Sequence, residues 1–359
     1  MASRRVLRRA VTGVLLALLV ATGQPAASAR LDRPAPVGSD PFVAGAPYRG
    51  DFPDPTVWRV GPRFYAASTT VAALNLPLMT STDLSTWTTR PPTDPAAPRF
   101  NDAMPKPATW AKTQVTASGR AWAGTWAPSV ARISTGTFVA AYSVPRAGDG
   151  RRCISLARSA SPAGPYVDTS TGPLTCGAAG VIDPQIFVDR GAIWMYYKME
   201  GAPDRILARP MNKYATGFAV GSRNFTLLVP KARWEGSVVE NPAMLRFRKK
   251  LYLFYSGNGY GSTAYATGYA VCKTLVGPCR RKGRLLYTGR YLAGPGGATP
   301  FFDQAGRLRL AYHAWRTGNV GYPRTESCLG TTAGCAQRRM YVATLRAGRA
   351  GRLVRVRWF

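Results

Sequence analysis

The chain has 359 residues, 46% of them hydrophobic, with 48 basic and 17 acidic side chains and a formal net charge of +31. A single histidine, His313, excludes chemistry that needs two, such as a histidine-based zinc site or paired imidazoles. The basic residues are scattered and no reader motif accompanies them, so nucleic acid is not an expected partner; no segment after the first thirty residues is apolar enough to cross a membrane, so neither is a bilayer.

The chain opens with Arg4, Arg5, Arg8 and Arg9, followed by an apolar run from Val11 to Ala21 and a small-residue site at Ala27-Ser28-Ala29. This layout predicts a secretory signal over 1–29 and a secreted, extracellular product that begins near Arg30. Ser3-Arg4-Arg5-Val6-Leu7 partly matches a twin-arginine signal. Pro34, Pro36 and Pro41 mark a Pro/Ala-rich linker over 30–43, and 44–359 reads as one domain. Losing the four signal arginines lowers the charge from +31 to +27. Most of this excess reads as a solvated basic surface; its functional counterpart is attraction to anionic polymers.

Helical periodicity is nearly absent downstream. Short apolar or alternating runs are bounded by Gly, Pro, Asp and Ser, which is strand-and-turn punctuation. Asp54-Pro55 is followed by Phe64-Tyr65, and Leu78-Met79-Thr80-Ser81 predicts a third strand. Arg90 to Ala123 carries few strand signals and reads as loops over one face. Trp126-Ala127-Pro128, Ile182-Asp183-Pro184 and Val239-Glu240-Asn241-Pro242 then recur at an interval of 57 residues. One further step lands on Gly297 in Gly294-Pro295-Gly296-Gly297, read as a turn. Each station precedes an aromatic or β-branched run, among them Trp194-Met195-Tyr196-Tyr197, Tyr252-Leu253-Phe254-Tyr255 and Leu308-Arg309-Leu310-Ala311-Tyr312. Five all-β units of this spacing predict a five-bladed β-propeller, whose first strands bring Asp54, Asp183 and Glu240 to one funnel.

Six cysteines in an exported chain predict disulfides, and sequence neighbours give the simplest set: Cys153 with Cys176, Cys272 with Cys279, and Cys328 with Cys335.

The residues Asp51-Phe52-Pro53-Asp54-Pro55-Thr56-Val57-Trp58, Ser81-Thr82-Asp83-Leu84-Ser85-Thr86-Trp87, Trp126-Ala127-Pro128-Ser129-Val130, Val181-Ile182-Asp183-Pro184, Glu240-Asn241-Pro242 and Ala311-Tyr312-His313-Ala314-Trp315 resemble, in order, glycoside hydrolase family 43. The resemblance covers roughly Phe42 to the C-terminus. It implies a five-bladed propeller that releases arabinose or xylose from polysaccharides or oligosaccharides with inversion. By motif, Asp54 falls on the general base, Glu240 on the general acid and Asp183 on the carboxylate that tunes and orients the acid. It places His313 near the channel, allows a structural Ca2+ ion there through a water on His313, and requires no cofactor. The chain departs from the family where relatives often carry a histidine in place of Gly297, and at Ser129, where an acidic residue is frequent.

The chemistry fits the three carboxylates. Inversion needs a base and an acid on opposite faces of the sugar, roughly 6.5–9.5 Å apart. The acid must stay protonated, through burial and a neighbouring negative charge. Asp-Pro alone is a common turn opener; three acids in register at one funnel argue for catalysis. Glu235, between Trp234 and Gly236, is a rival acid that reads as a loop residue. Phe52 and Trp126 are expected as apolar platforms for the sugar. The chain is read as a monomer. A non-catalytic carbohydrate-binding propeller, or a retaining fructan-acting enzyme with carboxyls about 5–5.5 Å apart, are the competing functions.

Overall fold

A computed structural model of the chain describes residues 50–89, 101–134, 136–322, 336–348 and 351–357. The expected signal, the expected 30–43 linker and the expected Cys328–Cys335 pair lie outside these residues.

Five antiparallel sheets follow one another along the chain, each with its strands in sequence order. Their first strands are Thr56–Val60, Trp126–Ser134, Val181–Asp189, Val239–Phe247 and Leu292–Phe302. Each first strand touches the next, and the first also touches the last, so the ring is closed. The protein is a five-bladed β-propeller. Among the described residues helix is confined to short 3-10 turns, such as Arg233–Glu235. None is long and apolar enough to cross a membrane.

The aromatic second strands fill the space between blades. Tyr252, Phe254, Tyr269, Leu310, Tyr312 and Tyr341 form one inter-blade cluster, and Trp58, Leu78, Phe138, Tyr142 and Tyr166 form another. Burying such side chains is worth about 1.5–3 kcal/mol each, which is what presses flat sheets into a wheel. Disulfides Cys153–Cys176 and Cys272–Cys279 clip the third strand to the fourth in blades two and four. Within the region read as loops, Gln114–Val115 pairs with Ala121–Trp122, and Asn101–Asp102 joins the first blade.

The inner strands owe their shape to the X-Pro steps. A proline cannot donate to a ladder, so pairing breaks there and the strand bulges. The breaks lie between Trp126 and Ser129, Ile182 and Gln185, and Glu240 and Ala243. The residue before the proline takes a left-handed backbone: φ is 51° at Asp54, 42° at Ala127, 57° at Asp183 and 47° at Asn241. Gly297 has the same φ, 57°, in blade five. Gly294 to Gly297 is thus part of an inner strand and not a turn: bulges on either side of Gly296 imitate one in the sequence. The structurally equivalent residues are 54, 127, 183, 241 and 297, so Glu240 stands one residue ahead of the position held by Asp54 and Asp183. A constant interval of 57 had put it in register.

The bulges carry a hydrogen-bonded collar. In four blades a second-strand or adjoining side chain accepts the backbone N–H of the left-handed residue in the next blade. Thr69 Oγ1 accepts from Ala127 (2.9 Å), Ser143 Oγ from Asp183 (3.1 Å), Ser256 Oγ from Gly297 (3.0 Å) and His313 Nδ1 from Asp54 (3.0 Å). Lys198 occupies the matching place in blade three, opposite Ile182. An ammonium has no acceptor. The Asn241 N–H therefore goes to the Asp183 carboxylate instead, at 2.9 Å.

Candidate active site

The left-handed residues and their neighbours open into a cleft of about 880 Å³ lined by Asp54, Asp183, Glu240, Lys198, Arg338 and Trp126, among others. Below it a narrow channel of about 30 Å³ runs between the inner strands. The three predicted carboxylates therefore meet in one cavity, and their surroundings differ sharply.

Asp54 is held as an anion. Thr69 Oγ1 donates to its Oδ2 at 2.7 Å, and Arg338 Nη1 donates to both oxygens at 3.2 and 3.3 Å. Burial opposes ionisation, but the Arg338 guanidinium and the Thr69 hydroxyl outweigh it, and the carboxyl titrates below its ordinary range. His313 is fully buried; burial and the nearby Arg338 pull its pKa to about 3, so it is neutral. Its 3.3 Å approach to Asp54 is then no ion pair. Arg338 is itself anchored by Tyr322, whose oxygen accepts from Nε at 3.0 Å, and by Asp51, which accepts the Arg338 backbone N–H at 2.7 Å. Burial raises the Asp51 carboxyl to about 6.

Asp183 and Glu240 form a coupled pair. Burial raises both; their mutual repulsion adds to the rise at Asp183, and Lys198 opposes it at both. Lys198 Nζ lies 3.1 Å from Glu240 Oε2 and 3.0 Å from Asp204. Burial works against the ammonium, but three surrounding carboxyls keep it charged. Tyr265 Oη sits 2.8 Å from both Glu240 Oε1 and Asn241 Oδ1. One hydroxyl hydrogen cannot serve both acceptors. When Tyr265 donates to Asn241, its oxygen is free to accept from a protonated Glu240. The pair titrates as a unit, with both carboxyls shifted above the ordinary carboxylate range.

Glu235 is no rival. It is fully buried in the 3-10 turn, with Oε1 accepting from Tyr255 (2.6 Å) and Arg281 (2.7 Å) and Oε2 from the Lys231 (2.7 Å) and Ala232 (2.9 Å) backbone N–H groups. It ties loop to sheet and does not face the cleft.

Of the two expected platforms, Trp126 lines the cleft and is 41% exposed, with the Arg152 guanidinium over its ring. Phe52 is not a platform: it is 0% exposed and packs among Val57, Phe64, Leu74, Met79 and Phe301. Asp51 and Pro53 line the cleft, and the Phe52 ring between them is turned into the core. Tyr260 and Trp122 line the cleft in its place.

His313 does not suit direct calcium ligation. Its Nδ1 accepts from Asp54, so in the neutral ring Nε2 carries the hydrogen, and a donor nitrogen does not bind a cation. Nε2 is buried without a hydrogen-bond partner among the described residues, a setting that suits a water. No three His, Cys, Asp or Glu side chains converge as a metal cage among the described residues. A side chain at Gly297 would come within 2.8 Å of both His313 and Asp54, so His313 fills the room that a larger residue there would need.

Residues 47–332 match the model of glycosyl hydrolases family 43. The chain belongs to that family. It is a glycoside hydrolase, as the family's members are. No curated protein matches it. Among solved structures it is similar to a thermostable family-43 glycoside hydrolase (22% identity, 85% of this chain and 93% of that one covered, TM-score 0.67). It is also similar to an endo-1,4-β-xylanase from Bacteroides thetaiotaomicron VPI-5482 (22%, 87% and 95%, 0.65). A third is the Cellvibrio cellulosa α-L-arabinanase complexed with arabinohexaose (20%, 85% and 95%, 0.63). At these identities the likeness speaks for the fold. In this family-43 chain, sequence reasoning missed Lys198, Arg338, Tyr265 and Asp51. Lys198 carried a signal, a lone cation inside the apolar strand Ala192–Met199; Arg338 carried none.

Proposed function

We propose that the protein is an exported, inverting glycosidase that cleaves arabinofuranosyl or xylosyl linkages of polysaccharides or oligosaccharides. Asp54 is the general base, Glu240 the general acid, and Asp183 tunes and orients Glu240. One observation carries the reading: Asp54, Asp183 and Glu240 line one cleft, where Arg338 draws the Asp54 carboxyl below its ordinary range while burial pushes the Asp183 and Glu240 carboxyls up. Carboxyls whose surroundings push their pKa values apart are the mark of an acid–base pair.

In this mechanism a water lies between Asp54 and the anomeric carbon. Asp54 takes one of its protons as the oxygen bonds to carbon. The glycosidic C–O bond breaks on the opposite face, and Glu240 gives its proton to the departing oxygen. No covalent sugar–enzyme bond forms, and solvent returns the two carboxyls to their starting states. Trp126 and Tyr260 flank the bound chain, aromatic faces suited to the C–H surfaces of sugars.

The test is a screen against arabinan, arabinoxylan and aryl glycosides, with the first-formed anomer followed by NMR. Inversion on a pentosyl substrate is the expected result; retention would assign the fructanase-like double displacement instead, and silence on every sugar would leave a binding protein. Asp183→Asn separates the tuning role. Removing the negative charge beside Glu240 lowers the acid's pKa, so the alkaline limb of the pH–rate profile moves to lower pH by roughly one unit or more. An unmoved limb would remove Asp183 from that role.

A further inference from the structure

The charge is unevenly placed. Residues 30–240 hold 23 basic and 15 acidic side chains, whereas residues 241–359 hold 21 basic and only two acidic, Asp303 and Glu326. Asp303 is buried and already bonds Arg307 and Arg309. Among the described residues of blades four and five no acidic side chain is exposed. Coding bias toward arginine would not by itself clear the acids from one side of the ring.

The basic groups converge. On the outer strand of blade four, Cys279–Leu286, the exposed positions are Arg280, Lys282 and Arg284. Arg281 between them turns inward to Glu235. The strand bulges at Lys282, which is left without a partner between the pairs Arg281–Ala270 and Gly283–Tyr269, so the three exposed cations cluster along a twisted edge. Lys249 and Lys250 project from the hairpin after Phe247, and exposed Arg352 precedes the last strand, Leu353–Arg357. The two outer strands touch, the Leu353 N–H donates to Tyr269 Oη at 2.8 Å, and the Lys250 ammonium lies against Gly351. The hairpin sits at the far end of the strand that begins beside Glu240, roughly 20 Å from the cleft by strand rise.

We propose that this edge of blades four and five binds a carboxylate-bearing polysaccharide. Arginine pairs with carboxylates bidentately, and a cluster of cations along one exposed strand suits a linear polyanion. The partner's class rests on the glycosidase reading: an acidic backbone that bears neutral pentosyl branches is gripped at this edge while its branches reach the cleft. A bilayer would ask for apolar anchors, and single-stranded nucleic acid for several stacking rings. Among the described residues the exposed large apolar side chain at this edge is Tyr287, with the Arg284 guanidinium 5.2 Å from its ring centre.

Binding of labelled polygalacturonate to the purified protein, at low and high salt, tests this. The triple variant R280Q/K282Q/R284Q is expected to bind about tenfold more weakly and with a shallower salt dependence. It should retain wild-type turnover of a small aryl glycoside, which also reports that it folds. A control of equal charge change on blades one and three, R59Q/R63Q/R205Q, is expected to bind like wild type. Equal losses in both variants would reduce the effect to net charge and overturn the proposal, as would tighter binding of single-stranded DNA or anionic phosphatidylserine vesicles than of polygalacturonate. Intact polyuronate binding by a protein that hydrolyses no glycoside would support this edge and sink the glycosidase reading alone.

Discussion

Asp54→Asn is expected to lower kcat by roughly a thousandfold on aryl and polymeric substrates, within the range that a positioned base contributes. The amide keeps the size of the carboxylate, and the backbone N–H still reaches His313, so the fold should persist. What is lost is the group that takes the water's proton. Arg338 then faces a neutral amide, and its charge no longer serves catalysis. The decisive observation is chemical rescue. Azide needs no deprotonation, so it should restore part of the rate and yield a glycosyl azide of inverted configuration. A variant that keeps wild-type turnover, or an azide product of retained configuration, would remove Asp54 as base.

Glu240→Gln is the other large effect, and its size should depend on the substrate. With a sugar alcohol or a poor phenol departing, protonation is essential and the loss should approach roughly 10³–10⁴-fold. With a dinitrophenyl group, which leaves as a stable anion, the loss should shrink to about tenfold. The alkaline limb of the profile should vanish with the acid that causes it. Lys198 is not stranded by the change, because Asp204 remains 3.0 Å away, so a collapse of the fold is not expected. A loss of equal size for every leaving group would mean that Glu240 positions substrate and does not supply the proton.

Much of this architecture was written in the spacing of X-Pro steps. Proline breaks the ladder, the break re-aims the preceding residue, and the repeated break marks one blade after another. The same rule limited the sequence reading. A bulge changes register without changing local composition, so Glu240 looked aligned with Asp183 although it stands one residue earlier. Phe52 looked like a platform because an aromatic face suits a sugar; only the packed structure tells which face of that segment meets the core. Two disulfide pairs followed from proximity in sequence, because third and fourth strands of one blade are neighbours in both senses. Arg338 lies 284 residues from Asp54 along the chain and approaches it only through ring closure. No local pattern encodes a contact of that span.

Apart from the Thr69 hydroxyl, the base is held by the last blade. His313 holds its backbone, Arg338 holds its carboxylate, and the Phe52 N–H reaches the Arg338 carbonyl at 2.9 Å. These bonds cross the join between the chain's two extremities, where no peptide link continues the wheel. Local opening costs less free energy than complete unfolding. Under mild heat or denaturant, hydrolysis in this protein should therefore fail when that join parts, while most of the sheet structure is still standing.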